Sequence, residues 1–439
     1  MQSVQFLDVL NRLIPANDFR QLCQEYAPRP RSAPRMSAEQ VVSGFIYHQL
    51  QDGGTVAKNC RRLHGIGMSD SAHRQRRQHL PVDLFEQLLS VALQPLAQES
   101  RHPAGFYGGY RLVGVDGTQF SVLNTPAILA QLPKAATRRL EAAFAKLRVV
   151  SLVELGTHAP LAAVAGPASE GEQPLAAKLW EKVPEGSLVT GDRLFGTGRT
   201  LWQATQAWGD RDIAVLARVR ENIRVQVVQR LADGSAIVHV PARDEQDKKQ
   251  CLRLREVQAQ GVGVNGKRFT LRLWTSLLDG QRHPAQELAR RYIERWEHEL
   301  YYRELKLDVR SARVLAGQTV DTALQEIAAL ILASAVIARI RVEAGTQLQV
   351  SPRRMSFAKL MGSTEELWNA YRLAGELLTP ALRDRMWKQY MEDVRSWAVL
   401  PERRSRSCPR VLRQPVSKWP RKIDPPSHTG KVTLELVHV

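Results

Sequence analysis

The sequence predicts an α/β protein, with a middle built of strands and helices and helical segments at both ends. Three observations predict it. Between Tyr110 and Val219 the patterning alternates in the order three strands, helix, strand, helix, strand. Residues 220–280 continue as short alternating runs separated by Asx-Gly pairs, the mark of hairpins and so of a β-rich insertion. Residues 1–105 and 341–400 carry helical periodicity instead. At 439 residues the chain can bury a large core and divides into two to four domains.

Charge narrows the partner. Lys and Arg number 62 against 44 acids, a net charge of +18, which favours a polyanion, and nucleic acid is the commonest. Charge alone does not separate an enzyme from a passive binder. The start of the chain has Asp8 inside its apolar stretch and no small-residue cleavage site, so no signal peptide is read. The most apolar run, Ala328 to Ala338, is too short to span a bilayer, and a cytoplasmic protein is expected. Cys23, Cys60, Cys251 and Cys408 are scattered, which suits reduced thiols and offers no zinc site.

Taken in order, the first 105 residues are expected to form a helical DNA-binding domain. Ser37 and Gln40 form a capping-box pattern ahead of a helix. Residues 55–63 and 69–80 read as two short helices about a His64-Gly65 turn, a helix-turn-helix candidate. The second carries Arg74, Arg76 and Arg77, side chains suited to phosphates and base edges. A basic surface helix in a plain bundle is the competing reading.

Tyr110 to Val122 reads as a strand with Leu112, Gly114, Asp116, Thr118 and Phe120 on one face. A carboxylate on an apolar face is costly unless paired or bound to a cation. A hairpin turn at Asp116-Gly117 is the alternative, but apolar and β-branched residues continue on both sides of it. Leu147 to Leu155 and Pro160 to Gly166 form a second hairpin, and residues 171–183 a helix. Ser187 to Gly191 is a short strand delivering Asp192 at its end, followed by a helix over 196–209 and a strand over 212–219. The 107 positions from Asp192 to Glu299 are too many for one connection, which is why 220–280 must be an insertion. Gly261, Gly263 and Gly266 satisfy a dinucleotide-binding spacing, yet a strand follows where a helix is required, so a hairpin is expected.

Pro284 to Leu307 reads as one long helix without internal Gly or Pro. At about 100° per residue, Tyr292, Arg295, Glu299 and Lys306 share one stripe, with Ala289, Ile293, Trp296, Leu300 and Leu307 on an apolar stripe beside it. Glu294, Glu297 and Asp308 then point away, and neutralising Glu297 is expected to be nearly silent. After it come an apolar helix over 320–342, the helical region 341–400, and a tail over 401–439 with nine Lys/Arg between 401 and 431.

The spacing Tyr292, two residues, Arg295, three residues, Glu299, six residues, Lys306 resembles the Tyr-Arg-Glu-Lys signature of bacterial DDE transposases of the insertion-sequence-four family. Asp116-Gly117-Thr118 and Asp192-Arg193-Leu194-Phe195 are similar to the family's blocks around its first and second aspartates. The resemblance covers roughly Leu112 to Ala338. It implies a ribonuclease-H-like catalytic core over 106–340, in which acids from the first strand, the fourth strand and the last helix converge. It further implies an insertion-sequence transposase that binds element ends and catalyses metal-dependent DNA cleavage and strand transfer. Asp116, Asp192 and Glu299 would hold two Mg²⁺ ions, Mn²⁺ substituting, while Tyr292, Arg295 and Lys306 would grip phosphates beside the scissile bond. Trp296 is expected in the core, or stacked on an unpaired end base. Partners implied are the double-stranded element ends, target DNA and a second protomer in a synaptic dimer. A nuclease without joining activity and a DNA-binding regulator are the alternatives.

Overall fold

A computed structural model of the chain describes residues 5–28, 34–135, 142–262, 268–309, 314–401 and 433–436. In chain order it contains α1 (Phe6–Leu13), α2 (Ala16–Tyr26), α3 (Ala38–His48), α4 (Val56–His64), α5 (Asp70–Gln78), α6 (Val82–Ala92), β1 (Phe106–Tyr107), β2 (Tyr110–Val122) and α7 (Pro126–Leu129). Next are β3 (Lys146–Glu154), β4 (Ala159–Pro167), α8 (Glu172–Ala177), β5 (Ser187–Gly191), α9 (Gly198–Trp208) and β6 (Ile213–Arg218). The insertion supplies β7 (Gln226–Arg230), β8 (Ala236–Arg243), β9 (Lys249–Val262) and β10 (Arg268–Thr275). The chain continues with α10 (Ala285–Ile293), α11 (Trp296–Arg303), β11 (Val314–Leu315), α12 (Val320–Leu348), α13 (Phe357–Ala374) and α14 (Pro380–Asp393). The protein is thus mixed α/β, with a large sheet and many helices.

Two compact units divide the chain. The first comprises Met1–Phe106, Gly114–Val183 and Glu297–Leu400; the second comprises Tyr107–Val113, Pro184–Trp296 and Pro401–Val439.

In the first unit the strand order is β4-β3-β2, with β3 and β4 antiparallel in the register Val150↔Val164. The helices form where local signals dictate. Ser37 Oγ accepts the Gln40 N–H and Gln40 Oε1 accepts the Ser37 N–H, the expected reciprocal cap of α3. Gly65 closes α4 in the left-handed region at φ 72°, where a side chain would be strained. α12 is the axis of this unit and packs against α1, α3, α6, α13 and β4. It runs past the expected end at 342 to Leu348. By length and composition it could cross a membrane, but 89% of its most apolar window is buried inside the protein. The divisions expected at 105 and 340 separate no cores, because Val9, Leu10, Phe45, Leu84 and Leu88 share one cluster with Ile327, Leu330 and Ile331 of α12 and with Leu360 and Trp368 of α13. Burying each such side chain contributes about 1.5–3 kcal/mol, so neither part keeps its stability without the other.

In the second unit the opening residues of β2 begin a sheet ordered β2-β5-β6-β10-β9-β8-β7. β5 and β6 are parallel, Val189↔Val215, joined through α9 as a strand-helix-strand unit requires. The insertion strands are antiparallel, and Gly234, at φ 81°, turns the chain between β7 and β8. Val262 pairs with Arg268, so the glycine spacing at 261–266 sits between antiparallel strands. Its Gly263, Asn265 and Gly266 lie outside the described residues, as does the basic tail over 402–432.

Candidate active site

In the first unit β2 runs without interruption through Asp116-Gly117, so Asp116 is an in-strand carboxylate and not a turn residue. It is half-buried, and its Oδ1 accepts the Gly117 N–H at 2.8 Å. Its carbonyl accepts the Tyr302 hydroxyl at 2.6 Å. Tyr302 lies on α11 three residues after Glu299, which is itself half-buried. A Cβ on Gly117 would come within 2.4 Å of Glu172 Cδ, so the missing side chain lets a further carboxylate lie against β2 beside Asp116. Arg148 Nε stands 3.9 Å from Glu172 Oε1. Glu172 was not singled out in the sequence, and a Gly-Glu helix start gave no reason to. The Lys306 ammonium rests 5.4 Å from the centroid of the Phe120 ring, which shares the Asp116 face of β2.

The long helix expected over 284–307 is interrupted. α10 ends at Ile293, α11 starts at Trp296, and residues Glu304–Asp308 form a π-helical turn. Each irregularity shifts the angular phase, so one wheel cannot carry Tyr292 through to Lys306. The buried face of α11 is also not the apolar one. Glu297, His298, Tyr301 and Tyr302 are buried, whereas Leu300 is half-buried and Leu307 is 63% exposed. Partners distant in sequence explain this. His158 Nε2 meets Glu297 Oε2 at 2.7 Å and its Nδ1 meets Glu304 Oε2 at 2.9 Å. Arg353 Nη2 reaches Glu297 Oε1 at 3.1 Å, and Arg341 Nη2 reaches Glu304 Oε1 at 2.8 Å. Burial by itself pulls the His158 imidazole down, but Glu304 and Glu297 reverse this and leave its pKa raised. Burial likewise pushes Glu304 up, and Arg341 and His158 overcome it, bringing the carboxyl to about 2. Glu297 therefore does not point away into solvent; it anchors the helix that carries Glu299.

In the second unit Asp192 follows β5 directly. Its Oδ1 accepts the Leu194 N–H at 2.8 Å, and its carbonyl accepts the N–H groups of Phe195 and Gly196, which fixes the turn that presents it. Tyr292 is buried on α10, and burial pushes its phenol up to about 12 against the pull of Arg295 and Arg218, with Asp192 adding to the rise. It stays a protonated donor at any working pH. Arg218 ends β6, and its pKa is lowered by burial and then by the crowding charges of Arg193 and Arg295. Asp192, Arg193, Arg218, Tyr292 and Arg295 thus share one electrostatic neighbourhood. Trp296 is half-buried, 5.7 Å from the Arg295 guanidinium, and is not a core residue. The start of α10 is held by the insertion: Asp233 accepts the Ala285 N–H at 3.0 Å and pairs with the fully buried Arg255.

The N-terminal arginines divide. Arg74 is exposed, Arg76 is half-buried with Nη2 3.4 Å from the Met36 carbonyl, and Arg77 lies over the Phe45 ring at 4.4 Å. Burial, then Arg74, lowers the Arg77 pKa to about 10. Arg77 departs from the expectation of a solvent-facing contact because its guanidinium lies on the Phe45 ring, between α5 and α3.

Asp116, Asp192 and Glu299 offer only oxygen donors, which suit a hard divalent cation. Among the described residues no group of three or more His, Cys, Asp and Glu is arranged to hold a metal ion.

Comparison with known proteins places these features. Residues 107–334 match the family described as transposase DDE domain. Over 359 residues the chain is 25% identical to transposase InsG for insertion sequence element IS4 of Escherichia coli (strain K12), covering 80% of this chain and 78% of that protein. It is 30% identical over 129 residues to the putative transposase InsZ of the same organism, 29% of this chain and 43% of that one. Among solved structures, a piggyBac transposase synaptic complex with hairpin DNA matches 91% of this chain and 86% of its own, at a TM-score of 0.47 and 9% identity. The chain belongs to the DDE transposase family. Within it, this is a bacterial insertion-sequence transposase of the insertion-sequence-four type, an enzyme that cleaves DNA and transfers strands and depends on a divalent metal.

Proposed function

We propose that Asp116, Asp192 and Glu299 are the catalytic carboxylates, carried on a ribonuclease-H-like core, and that Tyr292, Arg295 and Lys306 hold the phosphates beside the scissile bond. The observation that carries this reading is the bond from Tyr302 to the Asp116 carbonyl, which ties the strand of the first acid to the helix of the third. The shared neighbourhood of Asp192, Tyr292 and Arg295 supports the second acid and the phosphate contacts. The three carboxylates would ligate two Mg²⁺ ions, with Mn²⁺ able to substitute; when bound, such ions activate water or a 3′-hydroxyl and stabilise the leaving oxygen of an in-line displacement. The chain's own part is positional and electrostatic. Tyr292 donates a hydrogen bond and keeps its proton near neutrality, Arg295 and Lys306 offset phosphate charge, and Arg74 with Arg76 adds backbone contacts on the element end. The enzyme acts as a dimer on paired ends, in the bacterial cytoplasm and on nucleoid DNA.

Cleavage and strand transfer by Asp116→Asn, Asp192→Asn and Glu299→Gln on duplexes carrying the element's terminal repeats test the assignment. Each should bind ends and fail in both steps; a variant that cuts at the wild-type rate removes its residue from the set.

A further inference from the structure

Three buried side chains of the first unit form a line that ends on Asp116. The Tyr302 hydroxyl lies 2.6 Å from the Asp116 carbonyl, Ser151 Oγ lies 2.9 Å from the Tyr302 oxygen, and His298 Nε2 lies 3.0 Å from Ser151 Oγ. A carbonyl only accepts, so Tyr302 gives its single proton to Asp116. Ser151 then gives its proton to the Tyr302 oxygen, and His298 donates to Ser151 through Nε2–H. The line therefore has one direction, and it sets the His298 tautomer. Ser151, His298 and Tyr302 are 1%, 0% and 7% exposed, so solvent does not readily replace a lost member.

Packing brings strand and helix close along the same line. The rings of His298 and Tyr302 are 4.8 Å apart. A Cβ on Gly114, two residues before Asp116, would lie 2.7 Å from His298 Nδ1 and 2.9 Å from Leu155 Cδ2. Only glycine at 114 permits this approach without a shift. His298 and Tyr302 stand one residue before and three after Glu299, so what fixes them fixes the turn of helix that carries its carboxylate.

We propose that Tyr302, Ser151 and His298 are positioning residues that set the separation of the Asp116 and Glu299 carboxylates, and through it the affinity for the divalent ion those two would share. The proposal rests on the reading above that both carboxylates hold metal. Loss of a group that orients a metal ligand typically weakens metal binding by about 10–100-fold.

The test uses the full chain bound to a duplex carrying the element's terminal repeat, with Mn²⁺ as probe. Bound ion is measured by electron paramagnetic resonance and cleavage is followed alongside. Tyr302→Phe keeps the ring and removes the proton donor. It should raise the half-saturating Mn²⁺ concentration about tenfold while end binding is retained. Tyr301→Phe is the control, since that buried hydroxyl faces Ser334 Oγ at 3.4 Å and not Asp116, and it should leave Mn²⁺ affinity unchanged. Equal shifts in the two variants would reduce Tyr302 to a packing role and overturn the proposal. An unshifted Tyr302→Phe beside a Glu299→Gln that binds no Mn²⁺ would also overturn it while leaving the carboxylate assignment standing. If Asp116→Asn and Glu299→Gln both bind Mn²⁺ normally, the carboxylate assignment itself fails. Should Tyr302→Phe not fold, Ser151→Ala decides by the same measurement: a weaker Mn²⁺ affinity supports the proposal and an unchanged one overturns it.

Discussion

α10 and α11 follow one another along the chain, and each is buried on one side with helical spacing, yet opposite forces hold them. α10 buries Ala285, Leu288, Ala289 and Tyr292, an apolar stripe closed by one phenol. α11 buries Glu297, His298, Tyr301 and Tyr302, and its charges are met by His158, Arg341 and Arg353. Apolar contact is non-directional and yields gradually when a methyl group is lost. A buried ion pair is unforgiving: on removal of one charge the partner stays behind, desolvated and unmatched. The helix carrying Glu299 is therefore built for a fixed geometry more than for stability.

The largest expected effect separates chemistry from that scaffold. Glu299→Gln should lower cleavage by several orders of magnitude with end binding retained or tightened, since one negative charge near phosphate is gone. Single-turnover cleavage and a gel-shift titration, run together, check it. Normal cleavage would place the third acid elsewhere.

Glu297→Gln should do the reverse, although the sequence alone suggested a silent change. It removes one of the two carboxylates that flank His158, and the one that Arg353 reaches, and should cost about 3–5 kcal/mol of stability, read from urea unfolding. Leu288→Ala in α10 should cost a similar amount, about 2–5 kcal/mol, through a cavity. The pH dependence distinguishes the two helices. The folded pKa of His158 is raised above 6.5, so its contribution is complete below 6.5 and is lost as pH rises through the folded value. Glu304 is lowered from 4.5 to about 2, so its contribution is complete above 4.5 and is lost as pH falls toward 2. The network should stabilise most between about pH 5 and 6.5. His158→Asn, which suits the left-handed backbone at φ 60°, should remove the loss above pH 6.5, whereas Leu288→Ala should leave that slope unchanged. Identical slopes in both variants would erase the contrast between the helices.

The same contrast explains what could be read from the sequence. Asp116 within its strand and Asp192 at the end of its strand are legible because alternation and uninterrupted apolar runs are local signals. The hairpins of the insertion followed from Asx-Gly pairs for the same reason. The buried face of α11 was misjudged because its partners lie far away: His158 is 139 positions from Glu297 and 146 from Glu304. No window on the helix shows that a glutamate will find a cation there, or that Leu307, on the apolar stripe, will stay 63% exposed. The interruption at Glu294–Arg295 and the π-helical turn carry no Gly or Pro to announce them. Arg77 failed similarly, since a basic helix looks solvent-facing until the Phe45 ring beneath it is known.

Arg295→Ala and Lys306→Ala should have intermediate effects. Each deletes a cation offered to phosphate, so the cleavage-competent complex should form less readily, most visibly as salt is raised. Lys306→Ala should also lose its contact with Phe120 and Arg295→Ala its contact with Trp296, each worth about 0.5–1 kcal/mol, so both should melt slightly lower than wild type. Equal salt dependence in wild type and both variants would remove these two side chains from the phosphate path.

The smallest expected effects lie in α5, where two arginines three residues apart should behave differently. Arg74 is exposed, so Arg74→Ala should leave stability unchanged and lower the slope of log affinity against log salt by about one, the amount for one lost phosphate contact. Arg77 is packed over Phe45, so Arg77→Ala should leave that slope unchanged and cost about 0.5–2 kcal/mol of stability. The full chain is needed for both measurements, because α3 and α6, on either side of α5 in the chain, share their core with α12. Fluorescence anisotropy of end DNA across a salt series, paired with urea unfolding, gives both numbers for each variant. If Arg77→Ala flattened the salt slope and unfolded like wild type, the guanidinium would be reaching DNA, and α5 would be presenting the opposite face from the one its packing implies.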